Sequence, residues 1–326
     1  APAEFLPLID NTDLMLELSD WVVASAIKQL NQWQAENLKL ILSINIAPCH
    51  LVQENFVSQL QKQLHAYPNV CPKNLELEIL ETAALDDILR VSDIMKSCIA
   101  LGVHFSLDDF GTGYSSLTHL RRLPVNTIKI DRSFVNDILD DPSDYAIIDG
   151  TINLSKAFHR EVIAEGVETV EQGMMLILLG CENGQGYGIA KPMPVTEFYK
   201  WITHYVPNER WKKCALTSGS HKDVMLKLIK LLDRHWYAFF VDTDKPDEWP
   251  ITAYNKGHAE FWVNQVRQFN MFDYDWLEKF EDLHRKMYLA GNLISTLNES
   301  ENEHNKKQYV ALDKIHQEIE ALMLSA

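Results

Sequence analysis

Cysteine is scarce in this chain and unpaired in pattern. The five residues Cys49, Cys71, Cys98, Cys181 and Cys214 are scattered, odd in number and include no C-x-x-C pair. A disulfide framework and a thiolate zinc site are therefore not expected, and a reducing cytoplasm fits. Long hydrophobic runs are missing too: none approaches the ~18 residues that span a bilayer, so no membrane contact is expected from this chain. The opening stretch APAEFLPLIDNTDLMLELSDW has neither the basic start nor the apolar centre of a secretory leader. Positive charge is in short supply, with 30 Lys and Arg against 46 Asp and Glu and a formal net charge of −16. That argues against a general binder of polymeric nucleic acid, which would need a basic face. It leaves room for an anionic ligand held through divalent cations, in which case part of the acidity is ligand carboxylate.

What is present is an ordinary globular composition, 46 % hydrophobic and 23 % charged, in a chain of 326 residues. That length suits two domains. Up to about Val206, strand-like runs (LKLILSINIA, LELEIL, GVHFSLDD, TIKID, EVIAEG and the short CENGQGYGI) alternate with amphipathic helical stretches. Near-continuous apolar runs are the mark of parallel strands covered on both faces, and the alternation predicts an α/β fold. After VPNERWKKCALTSGSHKD the strand-like runs stop, and four amphipathic segments predict a small all-α helical bundle. The expected organisation is an α/β domain over 1–206, either a barrel or an open doubly wound sheet, then a linker over 207–220 and a bundle over 221–326.

Chemistry-bearing residues recur within or at the end of the predicted strands. Asn45 lies in SINIAP, Glu78 in LELEILE, Asp108 and Asp109 in SLDDF, Lys129 in IKID and Glu165 in IAEGVE. Their spacing is close to one βα unit of a (β/α)8 barrel, whose strand ends converge on one face. Carboxylates gathered that closely cannot all stay ionised unaided, and hard divalent cations such as Mg2+ or Mn2+ relieve the repulsion. Two such ions form a clamp suited to phosphoester hydrolysis. Asp108 and Asp109 are consecutive, and at a strand end they can address two places in one site. The loop GTGYSS behind them, with Gly111, Thr112 and Gly113, suits a segment that closes over the metals. Taken singly, each motif has an ordinary explanation: DD as a helix cap, the lysine of IKID as a surface residue, and Glu81, Asp131 and Glu168 as solvated charges.

Taken together, SINIAP, LELEILE, FSLDDFGTGYSSLTHLRRLPVNTIKID, VIAEGVET and GCENGQGYGIAKPMP resemble the EAL domain, a family of cyclic di-GMP phosphodiesterases. The resemblance covers about residues 1–203. It implies a TIM-like (β/α)8 barrel with two Mg2+ or Mn2+ ions that opens cyclic di-GMP to linear pGpG, in a protein that commonly carries upstream sensory or GGDEF-type domains and pairs its barrels into a homodimer. By motif position it implies Asn45, Glu78, Asp108, Asp109 and Glu165 as metal ligands. Lys129, Glu165 and Asp109 are implied as catalytic groups, Glu81 as the anchor of the DFGTGYSS loop, and Gln185, Glu168 and Asp131 as supporting residues. Two departures stand out. The Glu-Ala-Leu tripeptide, whose glutamate is a metal ligand in the family, is absent from this sequence, so the barrel is expected to be N-terminally incomplete. The family's E-x-T-E reads Glu78-Ile79-Leu80-Glu81. A catalytically silent module that binds cyclic di-GMP or a protein is the alternative that these departures leave open.

The tail resembles, more distantly, the CZB zinc-binding bundle through His221, YNKGHAEFW and FEDLHRKMYLAGNL. Gly257 stands at the family's cysteine position and Tyr288 at its second paired histidine. With two of four ligands replaced, His221, His258 and His284 are expected to be helix-face residues of a structural bundle rather than a zinc site.

Overall fold

The structure, a computed structural model, describes residues 2–10, 12–81, 88–112, 117–215, 221–241, 262–264, 266–267, 272–295 and 302–325. Gly113 and His258 lie outside the described residues. Six strands form one sheet: β1 Leu42–Asn45, β2 Leu75–Leu80, β3 His104–Phe110, β4 Thr127–Ile130, β5 Glu161–Ala164 and β6 Asn183–Gly184. Their spatial order is their chain order, and the ladders from β1 to β4 are parallel. Parallel neighbours need crossovers of a dozen or more residues, which helices supply. Helices α1 Pro2–Ile9 and α2 Asp13–Ala35 precede β1, and α3 Pro48–Leu51 and α4 Phe56–Ala66 lead to β2. Then α5 Ile88–Ala100 leads to β3, α6 Leu117–Arg122 to β4, α7 Arg132–Asn136 and α8 Pro142–Ala157 to β5, and α9 Val170–Leu179 to β6. The α/β alternation expected from the sequence is present as a half-barrel of strands with helices, followed among the described residues by helices alone: α10 Val195–His204, α11 Glu209–Ala215, α12 His221–Val241, α13 Tyr274–Ser295 and α14 Asn302–Leu324.

The chain divides into two compact units, Ala1–Asp131 with Thr151–Ile163, and Arg132–Gly150 with Ala164–Ala326. In the first, β2 has both of its faces buried. Leu75, Leu77 and Ile79 alternate with Glu76 and Glu78, and all five are shielded from solvent. Period-2 alternation sends the two sets to opposite sides, so one face of the strand is apolar and the other carries carboxylates. Helix α2 packs on β1 and β2, burying Val23, Ile27, Leu30 and Trp33 at helical spacing. Each fully buried aliphatic side chain there contributes roughly 1.5–3 kcal/mol.

In the second unit, α9 begins with a reciprocal capping box between Thr169 and Gln172 and ends at the left-handed Gly180, φ 89°. Helices α12, α13 and α14 pack on one another through Leu228, Leu232, Trp236, Phe280, Met287, Leu312 and Ile319. Inside this bundle Asp233 is buried beside two histidines: His316 Nδ1 is 2.9 Å from its carboxylate and His284 Nε2 is 3.7 Å away. Burial drives the His284 imidazole down to about 4. For His316 burial acts the same way, but the hydrogen bond and charge of Asp233 outweigh it and raise the group. Thus His284 is neutral in the fold, and its contribution to stability is lost as pH falls from 6.5 toward 4, on the order of 3 kcal/mol at the lower end. His316 works in the opposite sense. Its contribution is present below about 6.5 and is lost as pH rises through its higher folded value. Replacing His284 by Leu is therefore expected to remove most of the acid sensitivity of unfolding between pH 6.5 and 4.5, as read from chemical-denaturation midpoints at each pH. An unchanged slope would show that other groups carry it.

Candidate active site

The strand-end residues of the first unit meet in geometry that their spacing only suggested. Asn45 and Glu78 are register partners on β1 and β2. Lys129, only 4 % exposed, places its ammonium 3.0 Å from Glu78 Oε1 and 3.3 Å from Asp108 Oδ1. This lysine is not the surface residue that IKID alone suggests. It sits as a buried cation between two carboxylates from neighbouring strands.

The adjacent aspartates are separated by a bulge. Register runs from Leu107↔Ile128 directly to Phe110↔Ile130, so Asp108 and Asp109 together oppose the single residue Lys129. Asp109 adopts φ 55°, a left-handed conformation that costs a non-glycine residue of order 1 kcal/mol or more. Such a two-against-one bulge re-aims a side chain. It frees the pair from the alternation that would send them to opposite faces. Asp108 is buried, and among the described residues its Oδ1 makes no hydrogen bond beyond the ion pair with Lys129. Burial, then the charges of Asp108 and Asp131, raise the Asp109 carboxyl above the usual carboxylate range, and Lys129 offsets this in part. Burial likewise raises Glu78, again opposed by Lys129. Crowded, desolvated oxygen donors of this kind, one of them without a hydrogen bond, fit a hard divalent cation.

Glu81 is buried and accepts a 3.0 Å hydrogen bond at Oε2 from the Gly111 N–H. Its own N–H donates to the Asp108 carbonyl, 3.1 Å away. It therefore ties the end of β2 to the bulge and to Gly111 at the start of the loop. Thr112 donates from its hydroxyl to the Asp109 carbonyl at 2.8 Å, and Gly111 takes φ 103°, which a side chain would resist.

In the second unit, Glu165 follows β5 and accepts a 2.6 Å hydrogen bond from Gln185 Nε2. Backbone bonds hold the two segments together: Gln185 N–H donates to Ala164 O at 2.8 Å and Val167 N–H to Gln185 O at 3.0 Å. Glu168 is exposed, and its N–H is held by Gln172 Oε1 at 2.9 Å. Glu165, Glu168, Gln185 and Arg132 line an open cleft of about 590 Å3, with Tyr187 and Lys191 also on its wall. The Lys191 ammonium lies 5.8 Å from the centre of the Tyr187 ring.

Sequence reasoning missed a second polar layer. Glu76, two residues before Glu78, is buried and accepts from Ser43 Oγ at 2.7 Å and Thr127 Oγ1 at 2.8 Å. Ser43 precedes Asn45 by two, and Thr127 precedes Lys129 by two. The signal was in the text, because period 2 puts i and i−2 on one face. A hydroxyl in a strand carries no mark of the partner it will meet.

A family model described as the EAL domain matches residues 1–192. The chain belongs to the EAL domain family. Over 202 residues this EAL chain is 38 % identical to the cyclic di-GMP phosphodiesterase PA2567 of Pseudomonas aeruginosa, covering 62 % of the chain and 34 % of that protein. It is 34 % identical over 197 residues to the bifunctional diguanylate cyclase/cyclic di-GMP phosphodiesterase MucR of the same organism, covering 60 % and 29 %. The chain thus spans about a third of the length of these curated relatives. A solved structure of the PaMucR phosphodiesterase in complex with c-di-GMP matches with a TM-score of 0.59 at 34 % identity, over 61 % of this chain and 80 % of that one. The half-barrel described above is therefore an EAL barrel sheet. No helix among the described residues is long and apolar enough to cross a membrane.

Proposed function

We propose that this EAL chain hydrolyses cyclic di-GMP to linear pGpG at a site holding two Mg2+ or Mn2+ ions. The observation that carries the reading is Lys129, buried between Glu78 and Asp108 beside the bulge at Asp109. Asn45, Glu78, Asp108, Asp109 and Glu165 are the proposed ligands. Bound there, the ions would lower the pKa of a water and neutralise the phosphodiester. Lys129 supplies a fixed positive charge, already desolvated, for the negative charge that develops on the phosphate. Asp131, which raises the Asp109 carboxyl, and Glu81, which holds the Gly111 N–H, keep the bulge in position. Gln185 orients the Glu165 carboxylate as base or ligand. Glu168 and the loop residues Thr112 and Gly113 play supporting parts. The reading is strengthened by the names of the relatives, which include cyclic di-GMP phosphodiesterases, and by the c-di-GMP complex of the PaMucR phosphodiesterase.

The domain reading proposed with it is a barrel over 1–206 and a separate bundle over 221–326, with a homodimer formed through the barrels. In the bundle, His284 lies against Asp233 and His316 rather than among ligands from the CZB pattern. The side chain of His221 and all of His258 lie outside the described residues. A structural bundle without zinc remains the proposal.

The test is incubation of the purified chain with cyclic di-GMP and Mn2+, with pGpG followed by chromatography. Product is expected from the native chain and not from Glu78→Gln. Independently of turnover, Mn2+ at a hundred times its Kd is expected to stabilise the native chain by about 2.7 kcal/mol, reversibly with chelator, and Glu78→Gln by much less. Tight cyclic di-GMP binding by a folded, Mn2+-responsive chain that yields no pGpG would instead establish the silent receptor.

A further inference from the structure

The second unit contains a cavity of about 710 Å3 apart from the proposed catalytic residues, formed where one face each of α9, α11 and α12 converge. On α12 the lining residues are Lys227, Lys230, Leu231, Arg234, His235 and Ala238. These are the i, i+3, i+4, i+7, i+8 and i+11 positions of a single helical face. Helix α11 contributes Arg210, Lys213 and Cys214, and α9 contributes Glu171, Met174 and Leu178 among others. The volume lies within the range of small-molecule sites.

The wall carries five cations (Arg210, Lys213, Lys227, Lys230, Arg234) against two carboxylates, Asp140 and Glu171, in a chain whose net charge is −16. Both carboxylates are engaged. Asp140 lies 2.9 Å from His235 Nε2, and Glu171 lies 2.5 Å from Arg210 Nη1. Arg234 reaches Glu320, 3.4 Å away. Lys227 and Lys230, one turn apart and half-buried, form no ion pair among the described residues. Partly desolvated ammonium groups gain from an anionic partner that replaces lost water. Leu139, Met174, Leu178 and Leu231 give the wall an aliphatic part beside the polar Asn136, Thr169 and Gln172, and its one ring among the described residues is the His235 imidazole. Nucleotide sites favour aromatic faces on which bases stack, and this wall does not offer them.

We propose that this cavity binds a small amphipathic anion, an aliphatic body with a carboxylate or phosphate head that sits between Lys227 and Lys230. The inference is independent of the phosphodiesterase reading. Isothermal titration calorimetry of the whole chain with decanoate, decyl phosphate and decanol tests it. Both anions are expected to bind saturably at one site per chain, the tighter of the two identifying the head group. Decanol is expected to bind at least tenfold more weakly. The double variant Lys227→Met/Lys230→Met is expected to lose roughly 10–100-fold in affinity for the anions. Ala238→Glu, at an exposed position on the same face, is expected to weaken them as well, with the far-ultraviolet dichroism unchanged in both variants. Equal affinity for decanol, displacement of decanoate by cyclic di-GMP, undiminished binding by the folded lysine variant, or no saturable binding would each overturn the assignment.

Discussion

Replacing Lys129 by Met is expected to reduce the proposed cyclic di-GMP hydrolysis by about 10^2–10^3-fold, the scale seen when a fixed electrostatic donor is removed from a reacting centre. The reason lies in its position. Its ammonium is 3.0 Å from Glu78 and 3.3 Å from Asp108, in a setting where all three side chains are nearly excluded from water. Methionine keeps most of the volume and removes the charge. Two consequences should separate. The rate falls because nothing fixed remains to meet the developing negative charge. The metal-free chain is destabilised because Glu78 and Asp108 lose their counter-charge, and breaking a buried pair in this way costs about 3–5 kcal/mol. Because a divalent cation can take over that neutralising role, the Mn2+-induced rise in melting temperature should be larger in the variant than in the native chain. Initial rates of pGpG formation and melting curves with and without Mn2+ measure the two effects. A rate within threefold of native would refute the role given to Lys129, whatever the melting curves show.

Gly186→Ala is expected to be the most damaging small substitution in the second unit. A Cβ at Gly186 would lie 2.3 Å from both the N and the O of Val167. These are backbone atoms and cannot swing aside, and Val167 is itself buried. The segments 164–168 and 185–188 would have to part, which breaks the Val167–Gln185 hydrogen bond and withdraws Gln185 from Glu165. Overpacking of this kind costs about 1–3 kcal/mol and more where backbone is the obstacle. A lowered melting temperature and a loss of turnover should therefore appear together. Gly150→Ala is the control. Gly150 lies in α8, and nothing stands within 4 Å of its would-be Cβ. Alanine in a helix is favoured over glycine by about 0.8–1 kcal/mol, so this variant should melt slightly higher than native. If the two alanines melt alike, the close approach at Gly186 does not constrain the fold.

The succession of strands and helices is legible in the letters alone. Apolar runs and helical spacing are local properties, and burial on both faces of a parallel strand leaves its mark within six residues, as in LELEIL. The letters also place Asn45, Glu78, Asp108, Asp109, Lys129 and Glu165 within or at the end of strand-like runs, because motif and strand overlap in them. Tertiary structure decided what those residues do to one another. The bulge that places Asp108 and Asp109 opposite one lysine depends on the register of β4, which no stretch of β3 encodes. That Lys129 is a buried counter-ion, that Glu76 is held by hydroxyls from two other strands, and that His316 and His284 close on Asp233 all depend on partners 21 to 83 residues away. The charge on a side chain can be read from its letter. The field that acts on it comes from neighbours supplied by the fold.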